Sequence, residues 1–468
     1  MYHNTLFRTS SVLLLVILFL YAPSILPEGY IEKRAFNFVA SGARSMGMCG
    51  AAIAVGGDPT SAYWNPAGLG NINNSQITIS YNLWGKSESH MDSFAEYGYV
   101  FSDYDSSLDI SGIDFISATL PFRQENLFMV HQVSFHRVRN FNYSGSTQNP
   151  LTLSIPGVSI AMNELYNCNG SLQALSYSVG FLVMDWLQLG ASYHHYMGGY
   201  EYENTYQTTY IDTATSMQFS DQIINTMDAD FLGDNFDVGF VLSPVSFIRI
   251  GGVFKTNYDL KMQYSRNESY SSDFDPDDSI EYLSSGESVI KHPSKWGIGI
   301  AIMPVKNLTL ACDYSVSDWV PSQNEDGDYI RGTINNYNYP YDPNNPPLEG
   351  DTFSYPTFLD PEEITTQEVE TYLRIGAEYI LDMDDVSFAF RGGYLMHHAI
   401  FLDTQWEPVD YTGMSAGLGI YFDFLTFDIA WMQTSAEYKT FYLGSNTPNT
   451  KETNNYIYAQ LSYLFESF

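Results

Sequence analysis

The chain has 468 residues, 54 Asp and Glu against 20 Lys and Arg, a formal net charge of −34 and a mean hydropathy of −0.17. That balance excludes a nucleic-acid binder, because phosphate recognition needs basic stripes that so few cations among so many acids cannot build. Cys49, Cys168 and Cys312 are odd in number and widely spaced, which excludes a disulfide framework or a zinc pattern, and no cofactor is implied.

The first 28 residues read as an export address. His3 and Arg8 precede an apolar run from Val12 to Tyr21, which Pro23 and Pro27 interrupt. A charged start, a short apolar middle and small residues around Ala22 to Ser24 fit a secretory signal peptide. The run falls short of the ~18 apolar residues a spanning helix needs. The expected division is a signal peptide over 1–28, an N-terminal segment over 29–75 and a transmembrane β-barrel over 76–468.

Residues 36–75 do not alternate in polarity. They run through Arg44, Met46-Gly47-Met48, Cys49 and Gly50 to Asp58-Pro59 and then Tyr63-Trp64-Asn65-Pro66-Ala67-Gly68-Leu69. Small residues dominate, so this stretch can pack closely inside something larger. Asp58 is placed to cap a short helix with Pro59 at its first position, and Asn65, before Pro66, to end it.

From Gln76 onward the pattern changes to strict alternation, as in half-buried strands. Ile77, Ile79, Tyr81 and Leu83 share one face of the first. Ser111 to Phe122 and Asn126 to Val138 follow. Hairpins then pair Ser171 to Leu182 with Trp186 to Gly198, Gly233 to Leu242 with Ser246 to Tyr258, and Pro293 to Met303 with Lys306 to Ser317. Glu368 to Ile380 pairs with Asp385 to His398, Asp410 to Tyr421 with Leu425 to Tyr438, and Asn454 to Phe465 closes the set at fourteen strands. Phe94 to Phe101 is read as loop structure.

Six short and seven long connections alternate, as in an outer-membrane barrel with periplasmic turns and extracellular loops. The segments 86–110, 199–232, 259–292 and 318–367 hold thirty of the acids but five of the bases, and read as solvated loops. Asp273, Asp275 and Asp277 in one of them are calcium candidates, although the EF-hand glycine and glutamate are missing. In the last strand Ile457, Ala459, Leu461, Tyr463 and Phe465 form the apolar face. The Tyr463-x-Phe465 ending, with Phe468 beyond it, resembles the signal by which barrel-assembly machinery recognises its clients.

The run from Arg44 to Leu69 resembles the FadL/TodX (OMPP1) hydrophobic-compound transporters of Gram-negative outer membranes, whose close relatives include the PorV-type barrels of type IX secretion. Arg44, Met46-Gly47-Met48, Gly50-Ala51 and Tyr63 to Leu69 match the family pattern. Cys49 stands where a glycine is usual. The resemblance implies a 14-stranded barrel with a hatch in its lumen, formed by the N-terminal segment. It further implies passage of long-chain fatty acids or other hydrophobic small molecules, released sideways into outer-membrane lipid through a gap beside an irregular wall strand. The alternative is a PorV-like scaffold for protein secretion or surface attachment, which the Pro-, Asn- and Asp-rich segment 318–367 supports.

With the apolar face outward, His194, Asp237, Arg249, Lys255, Asp313, Arg374, Glu378, Arg391, His397 and Asp428 face the lumen. An internal ion-pair ladder around Arg374, Glu378 and Arg391 is one reading. The other is that an unpaired base, Arg249, Lys255 or Arg391, fixes a ligand carboxylate. Enzymatic chemistry is not expected. Gly413-x-Ser415-x-Gly417 lies within a strand and not at the strand-to-helix turn a hydrolase needs. His194-His195 and His397-His398 each point to opposite faces, so neither pair chelates one metal.

Overall fold

The computed structural model describes residues 41–465, except 93, 97–98, 102–103, 125–126, 148–151, 156–157, 213–214, 274–279, 320–321, 324–328, 331–367, 403–407 and 440–448. The signal peptide, Asp275, Asp277, Phe468 and nearly all of 318–367 therefore lie outside the described residues.

Fourteen antiparallel strands form the wall. They are β1 (Ser75–Met91), β2 (Tyr104–Gln124), β3 (Leu127–Asn140, resumed at Tyr143–Thr147 and Thr152–Ile155), β4 (Val158–Met184) and β5 (Leu187–Asp212). Next come β6 (Gln218–Val245), β7 (Ile248–Lys255, resumed at Tyr258–Ser272), β8 (Ile280–His292, resumed at Lys295–Val305) and β9 (Leu308–Trp319). The last five are β10 (Glu368–Met383), β11 (Val386–Leu402), β12 (Pro408–Tyr421), β13 (Leu425–Lys439) and β14 (Asn449–Phe465). Each pairs with the next, and β1 closes on β14 from Ser75 opposite Phe465 through Ile79 opposite Leu461. Closure leaves the wall no free edge, as a membrane-spanning sheet requires.

Alternation decides which side chains meet lipid. In β1, Ile77, Ile79, Tyr81 and Leu83 are exposed on the outside, while Gln76, Thr78, Ser80 and Asn82 are buried within. The predicted outward face of β14 holds too, with Tyr463 and Phe465 exposed and Tyr456, Tyr458 and Gln460 turned in. At the short-turn end, Phe122, Trp186, Phe247, Phe422 and Phe424 stand exposed around the rim. Aromatic rings of this kind favour the membrane interface.

The strands are much longer than expected. β4, β5 and β6 have 27, 26 and 28 residues. At about 3.3 Å per residue they exceed the ~25 Å apolar band severalfold. Most of 199–232 and 259–292, read as loops, is strand, and so are both ends of 86–110. The reading failed because both faces of these extensions lie beyond the apolar band. No hydrophobic alternation is needed there, and the ladder propagates upward from the register fixed below. Among the described residues Phe94–Glu96 and Tyr99–Phe101 pair only with each other, apart from the wall.

Candidate functional site

Residues 41–74 occupy the lumen. Cys49 contacts β12, Ala52 contacts β9, Asn65 contacts β6, Pro59 contacts β3 and Asp58 contacts β14. A buried segment held from opposite walls of a closed barrel lies inside it. It contains α1 (Ala43–Met46), α2 (Ser61–Trp64) and a 3₁₀ turn, Pro66–Asn71.

Asn65 ends α2 in extended geometry, as Pro66 demands, and its side chain then caps the 3₁₀ turn by accepting the Ala67 N–H. Asp58 does not cap α2 as expected. Its carboxylate takes the N–H and hydroxyl of Thr60, so the helix starts two residues later than Pro59 would begin it. Cys49 has φ 52°. That left-handed value strains L side chains, so a glycine would sit there more easily.

Glycine in the wall lets this backbone approach. A Cβ added to Gly190 would stand 2.2 Å from Ala67 N, and one on Gly251 2.4 Å from Ile53 O. Added to Gly376 it would meet Met48 Cβ at 2.6 Å, and to Gly393 the Met48 carbonyl carbon at 2.4 Å. Gly180, Gly239 and Gly417 similarly face Leu69, Asn65 and Gly47. The seat is thus a ring of missing side chains on seven strands, a signal the alternation pattern alone does not reveal.

Polar groups complete the seat. One oxygen of buried Asp313 accepts the N–H groups of Ala52 at 2.6 Å and Ile53 at 2.8 Å. The Ser415 hydroxyl donates to Gly47 O and accepts from Cys49 N, so the hydrolase-like pentapeptide serves as a docking point. Asn65 Nδ2 donates to Ile53 O and to Phe240 O across the lumen. Burial also pushes the Cys49 thiol up to about 11.

All ten predicted lumen charges lie on the inner side of the wall, and most are satisfied there. Glu378 binds Arg44 of the inner segment at 2.7 Å and Arg391 at 2.7 Å, and Arg391 also binds Asp428 at 2.8 Å. The ladder thus runs Arg44–Glu378–Arg391–Asp428, joining segment to wall. Arg374 lies outside it, stacked over Tyr372 and Trp64 and donating to Ser315. Lys255 pairs with Asp237 and donates to Tyr63 O. His397 stacks on Tyr372 and approaches Glu370 at 3.1 Å. Lys255 and Arg391 are therefore not the free bases envisaged. Arg249 donates to Val55 O at 2.7 Å and has no carboxylate partner among the described residues.

Sequence reading missed the wall defect. Register slips at Leu83 in β1, at Asp114 in β2 and at Val138 in β3 fall at one height. The β2–β3 ladder stops at Phe115 opposite His136 and, among the described residues, does not resume. Arg137 has lipid-facing parity but turns into the break, its Nε 3.1 Å from Asp114 and its Nη1 donating to Ser111 O at 3.0 Å. Ile113 and Ile116 are both exposed although three residues apart, a broken alternation that marks the bulge. Behind it, Asn82 Oδ1 and the Tyr456 and Tyr458 hydroxyls are buried without a protein hydrogen-bond partner.

Among the described residues no His, Cys, Asp or Glu cluster could hold a metal, and Asp273 is exposed. Neither a family model nor a curated sequence matches the chain. Among solved structures, 241 chains match. The Pseudomonas putida toluene transporter TodX aligns with a TM-score of 0.55 at 12 % identity, over 92 % of this chain and all of its own. A Pseudomonas aeruginosa FadL homologue gives 0.54 at 11 % identity, over 91 % of this chain and 98 % of its own. The CymD monoaromatic hydrocarbon channel gives 0.53 at 14 % identity, over 92 % and 100 %. These likenesses show the fold: the chain has the FadL/TodX barrel architecture.

Proposed function

We propose that this FadL/TodX-fold barrel is an outer-membrane channel for hydrophobic small molecules, with residues 29–75 as its hatch and no cofactor. The carrying observation is the seat. The lumen is filled by a segment held through glycine contacts, scattered hydrogen bonds and one ion pair, Arg44–Glu378, an arrangement that can loosen without unfolding the wall. A signal peptide over 1–28 and Tyr463-x-Phe465 recognition by barrel-assembly machinery would bring it to that membrane. Aromatic hydrocarbons and long-chain fatty acids are the cargo classes to compare.

Uptake of labelled toluene and oleate is measured in an outer-membrane host lacking such channels. Expression should speed uptake of one or both severalfold, and deletion of residues 36–70 should change the rate while the barrel stays folded. Uptake equal to that of empty cells, or unaltered by the deletion, would sink the proposal.

Lateral release into lipid is supported by the slipped register of β1–β3 and the ladder that ends at Phe115. Arg137 and Asp114 close that break. Replacing both together, Arg137→Met with Asp114→Asn, avoids leaving one charge buried alone. The double variant should raise toluene uptake severalfold; an unchanged rate in a folded barrel counts against exit at this place. A second reading, a PorV-like scaffold, is favoured by the height of β4–β6 above the apolar band. A protein that co-purifies on those extensions, together with absent uptake, would support it instead.

A further inference from the structure

At the short-turn end, below the inner segment, lies a cavity of about 240 Å³. Its polar lining includes Arg44, Arg249, Asn71 and Glu378, and its apolar lining includes Val55, Met303 and Ile380. Glu378 is already shared by Arg44 and Arg391, so it has no charge left for Arg249. Arg249 spends one donor on Val55 O. A guanidinium offers five donors in a planar fork, and the remainder suit a forked oxyanion. Two guanidiniums against one doubly bonded carboxylate leave the cavity with surplus positive charge, in a chain whose net charge is −34.

We propose that this cavity binds a small amphipathic carboxylate, with Arg249 on the carboxylate and Met303 and Ile380 against the apolar body. The site rests on the channel reading and adds to it a cargo class and a last stop before the short-turn mouth. Because Arg249 and Arg44 both hold the Val55–Gly56 turn through its carbonyls, a bound anion would also compete for the donors that fasten this part of the hatch.

The test uses the full-length protein in non-ionic detergent, with benzoate, toluene and inorganic phosphate titrated calorimetrically. Benzoate should bind at least about tenfold more tightly than the other two, a preference set by the charge-assisted hydrogen bonds toluene lacks and the apolar contacts phosphate lacks. Arg249→Gln should remove that preference, and Arg249→Lys should restore part of it. Benzoate no tighter than toluene overturns the proposal, as does phosphate equal to benzoate or an Arg249→Gln variant that behaves as wild type. If uptake by cells is also absent, the channel reading fails with it; if toluene uptake persists, only the carboxylate site fails.

Discussion

Leucine at Gly190 and Gly393 together should unseat the inner segment and turn a closed barrel into an open one. The Cβ atoms would stand 2.2 Å from Ala67 N and 2.4 Å from the Met48 carbonyl carbon, distances real Cβ atoms essentially never show. On the wall side, Gly190 is laddered to Gly180 and Gly239, and Gly393 to Gly376 and Ser415. Moving the wall breaks continuous ladders on two sides, whereas moving the segment breaks hydrogen bonds scattered over several strands and one ion pair. Overpacking of this kind costs about 1–3 kcal/mol per site, and the rest of each leucine adds more. The segment should therefore give way.

Single-channel conductance in a planar bilayer is expected to rise from near zero to stable open levels, while heat-modifiable mobility on gels stays that of a folded barrel. A variant keeping only Cys49 provides a second readout. In the wild-type seat, burial raises its thiol to about 11 and hides it, so a bulky maleimide at neutral pH should leave it unmodified. In the leucine variant it should react within minutes. A folded barrel with unchanged conductance and a protected Cys49 would show that the seat tolerates side chains and that the glycines have another purpose.

The contrast between wall and segment explains how much was legible in the sequence. Where one face meets lipid and the other a filled lumen, the period of two is enforced. The fourteen strands and the inward placement of Asp237, Asp313, Arg374, Glu378 and Asp428 could be read directly. Above the apolar band no lipid enforces the alternation, so 199–232 looked like loop although most of it is strand. Glu378 with Arg391 on the neighbouring strand was legible as a ladder, whereas the pairing of Glu378 with Arg44, 334 residues earlier, was not. Arg137 carried a usable clue: a charge at lipid-facing parity needs partners, and here they lie at the defect in β2.

Loss of Arg391 should be the most destabilising single change in the ladder, and its rescue should be specific. The guanidinium contacts Glu378, Asp428 and the Tyr421 hydroxyl, and all three charged groups are buried. In Arg391→Met, Glu378 keeps Arg44 at 2.7 Å, but Asp428 retains only the Tyr421 hydroxyl at 3.2 Å. Removing one partner of a buried pair typically costs about 3–5 kcal/mol, because the other charge stays desolvated. Urea midpoints for refolding into vesicles should fall accordingly. Adding Asp428→Asn removes the stranded charge and should recover more than half of the loss. Adding Glu378→Gln instead should recover little, since it also frees Arg44 from the wall and leaves Asp428 as it was. Equal rescue by the two would mean that the ladder acts through its net charge alone. The asymmetric result would mean that Glu378 serves two guanidiniums for a reason: it is the point at which the inner segment is fastened to the barrel.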